Sequence, residues 1–128
     1  MPTIQVSKLH SFKGHSSGIY CLELLTESSF ISAGGDGQIV KWDVSSFDDG
    51  NLIAKVDAPV YGLCIDVNRL LIGESGRAVH MIDIETKSPI RSVAIKAPVF
   101  SIRRFGDQFL MGTGAGELIV FDLSLIHI

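Results

Sequence analysis

The chain has 128 residues, of which 46% are hydrophobic and 20% are charged, and its formal net charge is −3. This length is enough for one domain with a buried core, and this composition excludes a disordered chain. This small negative net charge and the lack of a stripe of basic residues argue against a nucleic-acid-binding surface.

From the first residues of the chain we expect no secretion signal. Residues 1–8 lack the charged start and the apolar stretch of a signal peptide, and no apolar run reaches the roughly 18 residues of a membrane span. Cys21 and Cys64 lie in different predicted strands, so we expect two free, buried thiols in a reducing compartment. The expectation is a cytoplasmic protein that contacts no membrane.

In chain order, short apolar runs alternate with turn signals. The first set comprises a strand over 6–12, a strand over 19–25, a hairpin over 30–43, a polar loop over 45–51 and a strand over 52–56. The hairpin turns at Gly35-Asp36-Gly37, because Asp-Gly between apolar positions adopts the backbone angles that a tight turn needs. This set predicts one four-stranded unit preceded by an extra strand.

The same order of elements then recurs. The second and third sets comprise strands over 60–67, 90–95 and 99–105 and hairpins over 70–84 and 109–123. No stretch shows a 3.6-residue period over the ten or more residues that a helix needs. Regularly spaced short strands with turn signals predict an all-β fold.

The hairpins align with one another. Shifts of about 40 residues superimpose Trp42 on Ile82 and Phe121, and Asp43 shares its column with the acidic residues 83 and 122. We place the repeats at about 6–44, 51–84 and 90–123. A four-strand repeat of about 40 residues predicts the blades of a β-propeller, each a four-stranded antiparallel sheet.

The first repeat carries a more specific pattern. In order, it has Gly14-His15 before a strand, Ile19 and Leu22 within that strand, Ser32 in the next, Asp36 in the turn, and Trp42-Asp43 closing the third. In this pattern the chain resembles the WD-repeat β-propellers over about residues 6–123. The resemblance implies that His15, Ser32, Asp36 and Trp42 form a hydrogen-bonded structural tetrad. A shielded carboxylate bonded to an imidazole N–H makes a charge-assisted bond of more than ordinary strength.

The second and third repeats depart from the tetrad. Val56 and Ile95 stand at the histidine position, and apolar or small residues fill the other three columns. We therefore expect these two units to be held by apolar packing alone. His10 and His80 stand singly on predicted strands, so we expect no metal site and no cofactor.

The resemblance also implies a non-catalytic interaction scaffold that binds protein or peptide partners through its top-face loops. An aromatic residue recurs at one position of the first strand, as Tyr20, Tyr61 and Phe100. These rings would lie at the top face beside the central channel, or else would pack as core between blades. Arg77 and Lys96 would be the exposed charges of that face, or merely solvated. No nucleic acid, membrane or small-molecule substrate is implied.

Two alternatives to a scaffold stay open. The protein could be a propeller enzyme, or a regulatory module, whose functional site lies on blades or domains beyond these residues. His15, Ser32 and Asp36 have the composition of a catalytic triad, but the resemblance gives all three a structural position. Fold alone does not decide among these functions.

Three repeats are too few to close a ring, since propellers have typically four to eight blades. We therefore expect an open, incomplete propeller that forms the N-terminal part of a longer protein, with blades over 1–123. Residues 124–128 resemble the translation of a sequencing-library adapter, which predicts an adapter-derived tail. The other interpretation of these five residues is a natural apolar strand.

Overall fold

The structure is a computed structural model that describes residues 3–46 and 50–122. Eleven strands lie in these ranges. They are β1 Ile19–Leu24, β2 Ser29–Gly34, β3 Gln38–Asp43, β4 Asn51–Lys55, β5 Val60–Asp66, β6 Arg69–Glu74, β7 Ala78–Asp83, β8 Pro89–Ala94, β9 Val99–Phe105, β10 Gln108–Thr113 and β11 Leu118–Phe121. The predicted tail at 124–128 and part of the predicted loop at 45–51 lie outside the described residues.

The strands form three antiparallel sheets in which sequence neighbours pair with each other. Sheet 1 contains β1 to β4, sheet 2 contains β5 to β8, and sheet 3 contains β9 to β11. Over the described ranges the three sheets do not close into a ring. The predicted all-β fold of successive antiparallel blades in an open arrangement is confirmed.

In each sheet, the turn between the second and third strands contains a residue with a positive φ angle. Gly37 has a φ of +73°, Gly116 has +82°, and Arg77 occupies the aligned position with +72°. At Gly37 an added Cβ would lie 2.2 Å from the carbonyl oxygen of Val56. Glycine is therefore required in the first hairpin both by its backbone angle and by the close approach of the next segment.

The core consists of two apolar layers between successive sheets. Ile31 and Ile39 of sheet 1 pack against Leu70 and Ile72 of sheet 2. The residues that alternate with these along the strands of sheet 2 lie on its opposite face and pack against sheet 3. Leu71 is one of them and is fully buried. Alternate residues along the strands of sheet 2 thus serve two layers, as the two-residue period of a strand requires. Both faces of sheet 2 are covered.

One predicted strand is wrong. Residues 6–12 form no strand and pair with none of the three sheets, and Val6 is 89% exposed. A strand needs a neighbouring edge to satisfy its backbone groups, and alternating apolar residues alone do not supply one. The end of the segment packs on sheet 1: the centroid of the Phe12 ring lies 5.3 Å from that of Trp42 and 5.6 Å from that of Phe30.

Across the described ranges, the structure holds no helix with the length and apolar character needed to cross a bilayer.

Candidate functional site

The four predicted tetrad residues lie together on the face of sheet 1 that points away from sheet 2. His15 Nδ1 lies 3.0 Å from Asp36 Oδ2, and His15 Nε2 lies 2.7 Å from Ser32 Oγ. The indole Nε1 of Trp42 donates to the same hydroxyl oxygen at 2.7 Å. A neutral imidazole protonated at Nδ1 satisfies every member, because it donates to the carboxylate and accepts the hydroxyl proton.

The Asp36 carboxylate also fixes the backbone of the loop before β1 and that of the first residue of β3. It accepts from the amides of Ser16 and Gln38, at 2.9 and 3.0 Å. Burial by itself would raise the pKa of Asp36, but the hydrogen bonds from Gln38, His15 and Ser16 outweigh it and hold the pKa below its ordinary value. The carboxylate thereby anchors the loop that leads into β1.

The three recurring aromatic residues form one continuous group, which we call the aromatic row. Tyr20 and Tyr61 are stacked, with ring centroids 5.0 Å apart and planes 9° apart. Phe100 meets Tyr61 edge to face, at 5.2 Å. Tyr20 and Phe100 are about half exposed, at 51% and 50%. The rings therefore pack on one another and also present surface to solvent.

A repeated backbone irregularity places these rings. The pairing of β1 with β2 skips from Ile19 to Cys21, and equivalent skips occur at residues 61 and 100 in sheets 2 and 3. Each aromatic residue is thus the extra residue of a β-bulge. A bulge re-aims its side chain out of the normal alternation of the strand. The same bulge in three sheets turns three rings toward one edge.

Small residues leave room for the outer two rings. A Cβ at Gly35 would lie 3.3 Å from the Tyr20 hydroxyl oxygen, and one at Gly114 would lie 3.3 Å from the Phe100 ring. Both glycines belong to hairpin turns, so these rings lie beside the turns of their own sheets. The aromatic row and the turns form one surface, which we call the top face.

Arg77 and Lys96 lie on exposed segments next to this surface. Arg77 ends the turn of the β6–β7 hairpin, and its carbonyl accepts from the amide of Ile95 at 2.8 Å. Lys96 follows Ile95 in the connection to β9, and the side chains of Arg77 and Lys96 are both exposed. A contribution of these two cations to binding stays a prediction.

Sheet 2 contains polar contacts that the sequence analysis missed. His80 Nε2 lies 2.6 Å from Glu74 Oε2, and His80 Nδ1 lies 2.6 Å from Ser92 Oγ. The expectations that His80 stands alone and that the second unit is held only by apolar packing are wrong. Ser92 is the direct cross-strand partner of His80, so the hairpin register contained the signal, but only once that register was known.

A second missed contact joins sheet 2 to sheet 3. The buried Asp66 carboxylate accepts from Arg69 Nη2 at 2.6 Å and from Arg104 Nη1 at 2.8 Å. Arg104 occupies a strand position that is apolar in the other two repeats. The buried Asp66 carboxylate on the neighbouring sheet explains why this position holds an arginine, because a buried carboxylate requires a compensating charge.

Both cysteines are free. Burial, with the nearby Glu23 carboxylate, raises the pKa of Cys21 to about 12 and that of Cys64 to about 11. Neither thiol is therefore set up as a nucleophile at neutral pH. Among the described residues, no group of three or more His, Cys, Asp or Glu side chains could hold a metal ion.

Residues 6–43 match the protein family described as WD domain, G-beta repeat. The chain is also 50% identical over 38 residues to the ubiquitin fusion degradation protein 3 homolog of Caenorhabditis elegans. That stretch is 30% of this chain and 4% of the relative. The resemblance of the first repeat to the WD family is confirmed.

Solved structures extend the likeness in fold to most of the chain. The WD40 β-propeller domain of Doa1 superimposes with a TM-score of 0.76 at 16% identity, over 87% of this chain and 40% of that one. U3-55K gives 0.79 at 19% identity, over 90% and 39%. The propeller domain of Cps50 (Swd1) from Myceliophteria thermophila gives 0.72 at 19% identity, over 86% and 37%. The chain thus spans about two fifths of these propeller structures.

Proposed function

We propose that this chain, with a WD repeat at residues 6–43 and the sheets of a propeller, is a protein-interaction scaffold that binds its partners at the top face. The observation that carries the proposal is the aromatic row. The rings of Tyr20 and Phe100 each contact the ring of Tyr61, and all three rings stay partly exposed. Tyrosine and other aromatic residues are enriched at the centres of protein interfaces, where they contribute much of the binding energy.

The supporting structure favours a preformed surface. The tetrad holds the loop before β1 to the first hairpin, and the bulges fix the direction of each ring. Rings that are already ordered lose little conformational entropy when a partner binds. Rigid aromatic rings between hairpin turns are therefore suited to recognition of a protein or peptide segment.

The name of the C. elegans relative suggests one partner class. That protein is named for the degradation of ubiquitin fusions, and we propose that ubiquitin fused to another protein is a ligand of the top face. The probe is ubiquitin fused to an inert reporter, titrated against the chain with unfused reporter as the control. Equal binding of the fusion and the bare reporter would reject ubiquitin as the partner.

The location of the site is tested by a triple variant, Tyr20→Ala/Tyr61→Ala/Phe100→Ala. Phe105→Ala is the matched control, because Phe105 is also aromatic and 62% exposed but lies at the opposite end of β9. We expect the triple variant to lose at least about tenfold in affinity, as three interface anchors should, and the control to bind as wild type. Unchanged recovery of partners from a cell lysate by the triple variant would reject the top-face site.

A further inference from the structure

The Glu74–His80–Ser92 contacts form a linear relay whose members become more exposed along its length. Glu74 is buried at 8% exposure, the His80 side chain is 25% exposed, and Ser92 is exposed. Both hydrogen bonds measure 2.6 Å. When His80 Nε2–H donates to the carboxylate, Nδ1 is left free to accept the Ser92 hydroxyl proton. The order is a buried orienting group, a base and an accessible hydroxyl.

This relay lines a groove between the outer strands of sheets 1 and 2, with a volume of about 380 Å³. Its apolar wall includes Ile53, Ile82 and Pro89. Lys55 and Lys87 also line it, and Lys87 Nζ donates to Asn51 Oδ1 of sheet 1 at 2.8 Å. Small-ligand sites usually have this size and this combination of apolar lining with a few polar groups.

The tetrad of sheet 1 provides the contrasting case. It also joins a carboxylate, an imidazole and a serine, but Ser32 is 1% exposed and its oxygen accepts from the Trp42 indole. No reagent can reach that hydroxyl. Ser92 has the same kind of histidine partner and faces a groove, so the two serines should differ in chemical reactivity.

We propose that Ser92 is a nucleophile activated by His80, and that it accepts acyl groups from small activated esters in this groove. A nucleophile bonded to a base, with the base oriented by a third group, is the recurring arrangement of such sites. His80 acts as the general base. Glu74 is a positioning residue, because it contacts the base and not the reacting hydroxyl.

The acyl transfer balances without any further reactant. Ser92 Oγ attacks the ester carbonyl carbon while its proton moves to His80 Nδ1. The tetrahedral intermediate then collapses, the bond from carbon to the leaving oxygen breaks, and that oxygen takes the proton from Nδ1. The products are an acylated Ser92 and an alcohol, and His80 returns to its neutral form.

The first experiment measures labelling by a fluorophosphonate probe and acetylation by p-nitrophenyl acetate, with the labelled residue located by peptide mass mapping. Ser92→Ala should abolish the labelling. Ser88→Ala is the matched control, since Ser88 is an exposed serine just before the same strand, and this variant should label as wild type. Labelling spread evenly over exposed serines would overturn the proposal.

The second experiment separates reactivity from folding. His80→Gln keeps an amide that can bond to Glu74, but it cannot take the serine proton. We expect its labelling rate to fall by about 10²-fold or more, the usual contribution of a general base, with a melting temperature close to that of wild type. A labelling rate equal to that of wild type would show that the relay is only structural.

Glu74 is tested by a graded pair. Glu74→Gln retains an acceptor oxygen for His80 Nε2–H, whereas Glu74→Ala removes it. We expect the glutamine variant to retain more of the labelling rate than the alanine variant. Identical rates in both variants and wild type would contradict the positioning assignment.

Discussion

Sheets 1 and 2 share one repeat pattern but are stabilised in different ways. At four aligned positions sheet 1 has a polar tetrad, whereas sheet 2 has Val56, Ile72, Gly76 and Ile82. Ile72 and Ile82 of sheet 2 face sheet 1 and are buried there, but the tetrad faces away from sheet 2, where the segment around Phe12 meets Trp42. The side chains of Ile72 and Ile82 thus pack against another sheet, whereas at the four aligned positions of sheet 1 directional hydrogen bonds hold a loop to a sheet.

The largest effect should come from the tetrad's indole. Trp42 is 4% exposed, and Trp42→Ala should lower the free energy of unfolding by about 3–5 kcal/mol, the range for a large buried side chain. Leu24→Ala is the control in the same sheet, because Leu24 is 81% exposed and should change stability by less than about 0.5 kcal/mol. Chemical denaturation measures the free energy of unfolding of both variants. Comparable losses in the two would contradict a particular contribution of Trp42 to stability.

The carboxylate of the tetrad should come second. Asp36→Ala leaves His15 and two backbone amides without their acceptor, which should lower the free energy of unfolding by about 1–3 kcal/mol. Asp57 is an exposed aspartate near the same edge, so Asp57→Ala serves as the control and should be nearly neutral. A melting-temperature series in which Asp36→Ala is neutral would count against the tetrad.

Acid should weaken sheet 1 through the same group. The pKa of Asp36 is lower in the folded protein than its ordinary value, because hydrogen bonds to the charged form outweigh its burial. Its contribution is therefore complete above the ordinary carboxyl pKa of about 4 and is lost as the pH falls through the lower folded value. The stability gap between wild type and Asp36→Asn should narrow over that window in equilibrium unfolding. A gap that is constant or widens with acid would contradict this assignment.

The smallest effect concerns the turn position shared by the two sheets. Arg77 has a φ of +72°, where sheet 1 has Gly37. Arg77→Gly should relieve backbone strain and slightly raise the melting temperature. The gain in the free energy of unfolding should be at most about 1 kcal/mol, because glycine also gains conformational freedom in the unfolded chain. Gly37→Ala should lower the melting temperature, and by more than Arg77→Gly raises it, because its Cβ would lie 2.2 Å from the carbonyl oxygen of Val56. A shift of the same sign in both would break the comparison.

The sequence predicts most of the strands because each lies between turn residues and carries a two-residue or continuous apolar pattern. The tetrad residues could be named because their spacing in the first repeat is characteristic. The segment 6–12 shows the limit of pattern alone, since pairing depends on an available sheet edge. The ion pair of Asp66 and Arg104 shows a second limit of sequence patterns, because a contact between two sheets depends on how neighbouring repeats pack.

The relay on sheet 2 escaped prediction for a related reason. Glu74, His80 and Ser92 come from three strands, and only the register of both hairpins brings them to one face. The aromatic row was easier to find, because its residues recur at one position of the repeat. Its bulges were not foreseen, because a recurring aromatic residue does not by itself show where the pairing of two strands shifts.

The most direct test of the tetrad is a double-mutant cycle on the hydrogen-bonded pair His15 and Asp36. Unfolding free energies are measured for wild type, His15→Ala, Asp36→Ala and the double variant. We expect a coupling energy of about 1 kcal/mol or more, as for residues in one hydrogen-bond network. Additive effects of the two substitutions would mean that the contact at 3.0 Å does not hold the loop to the hairpin.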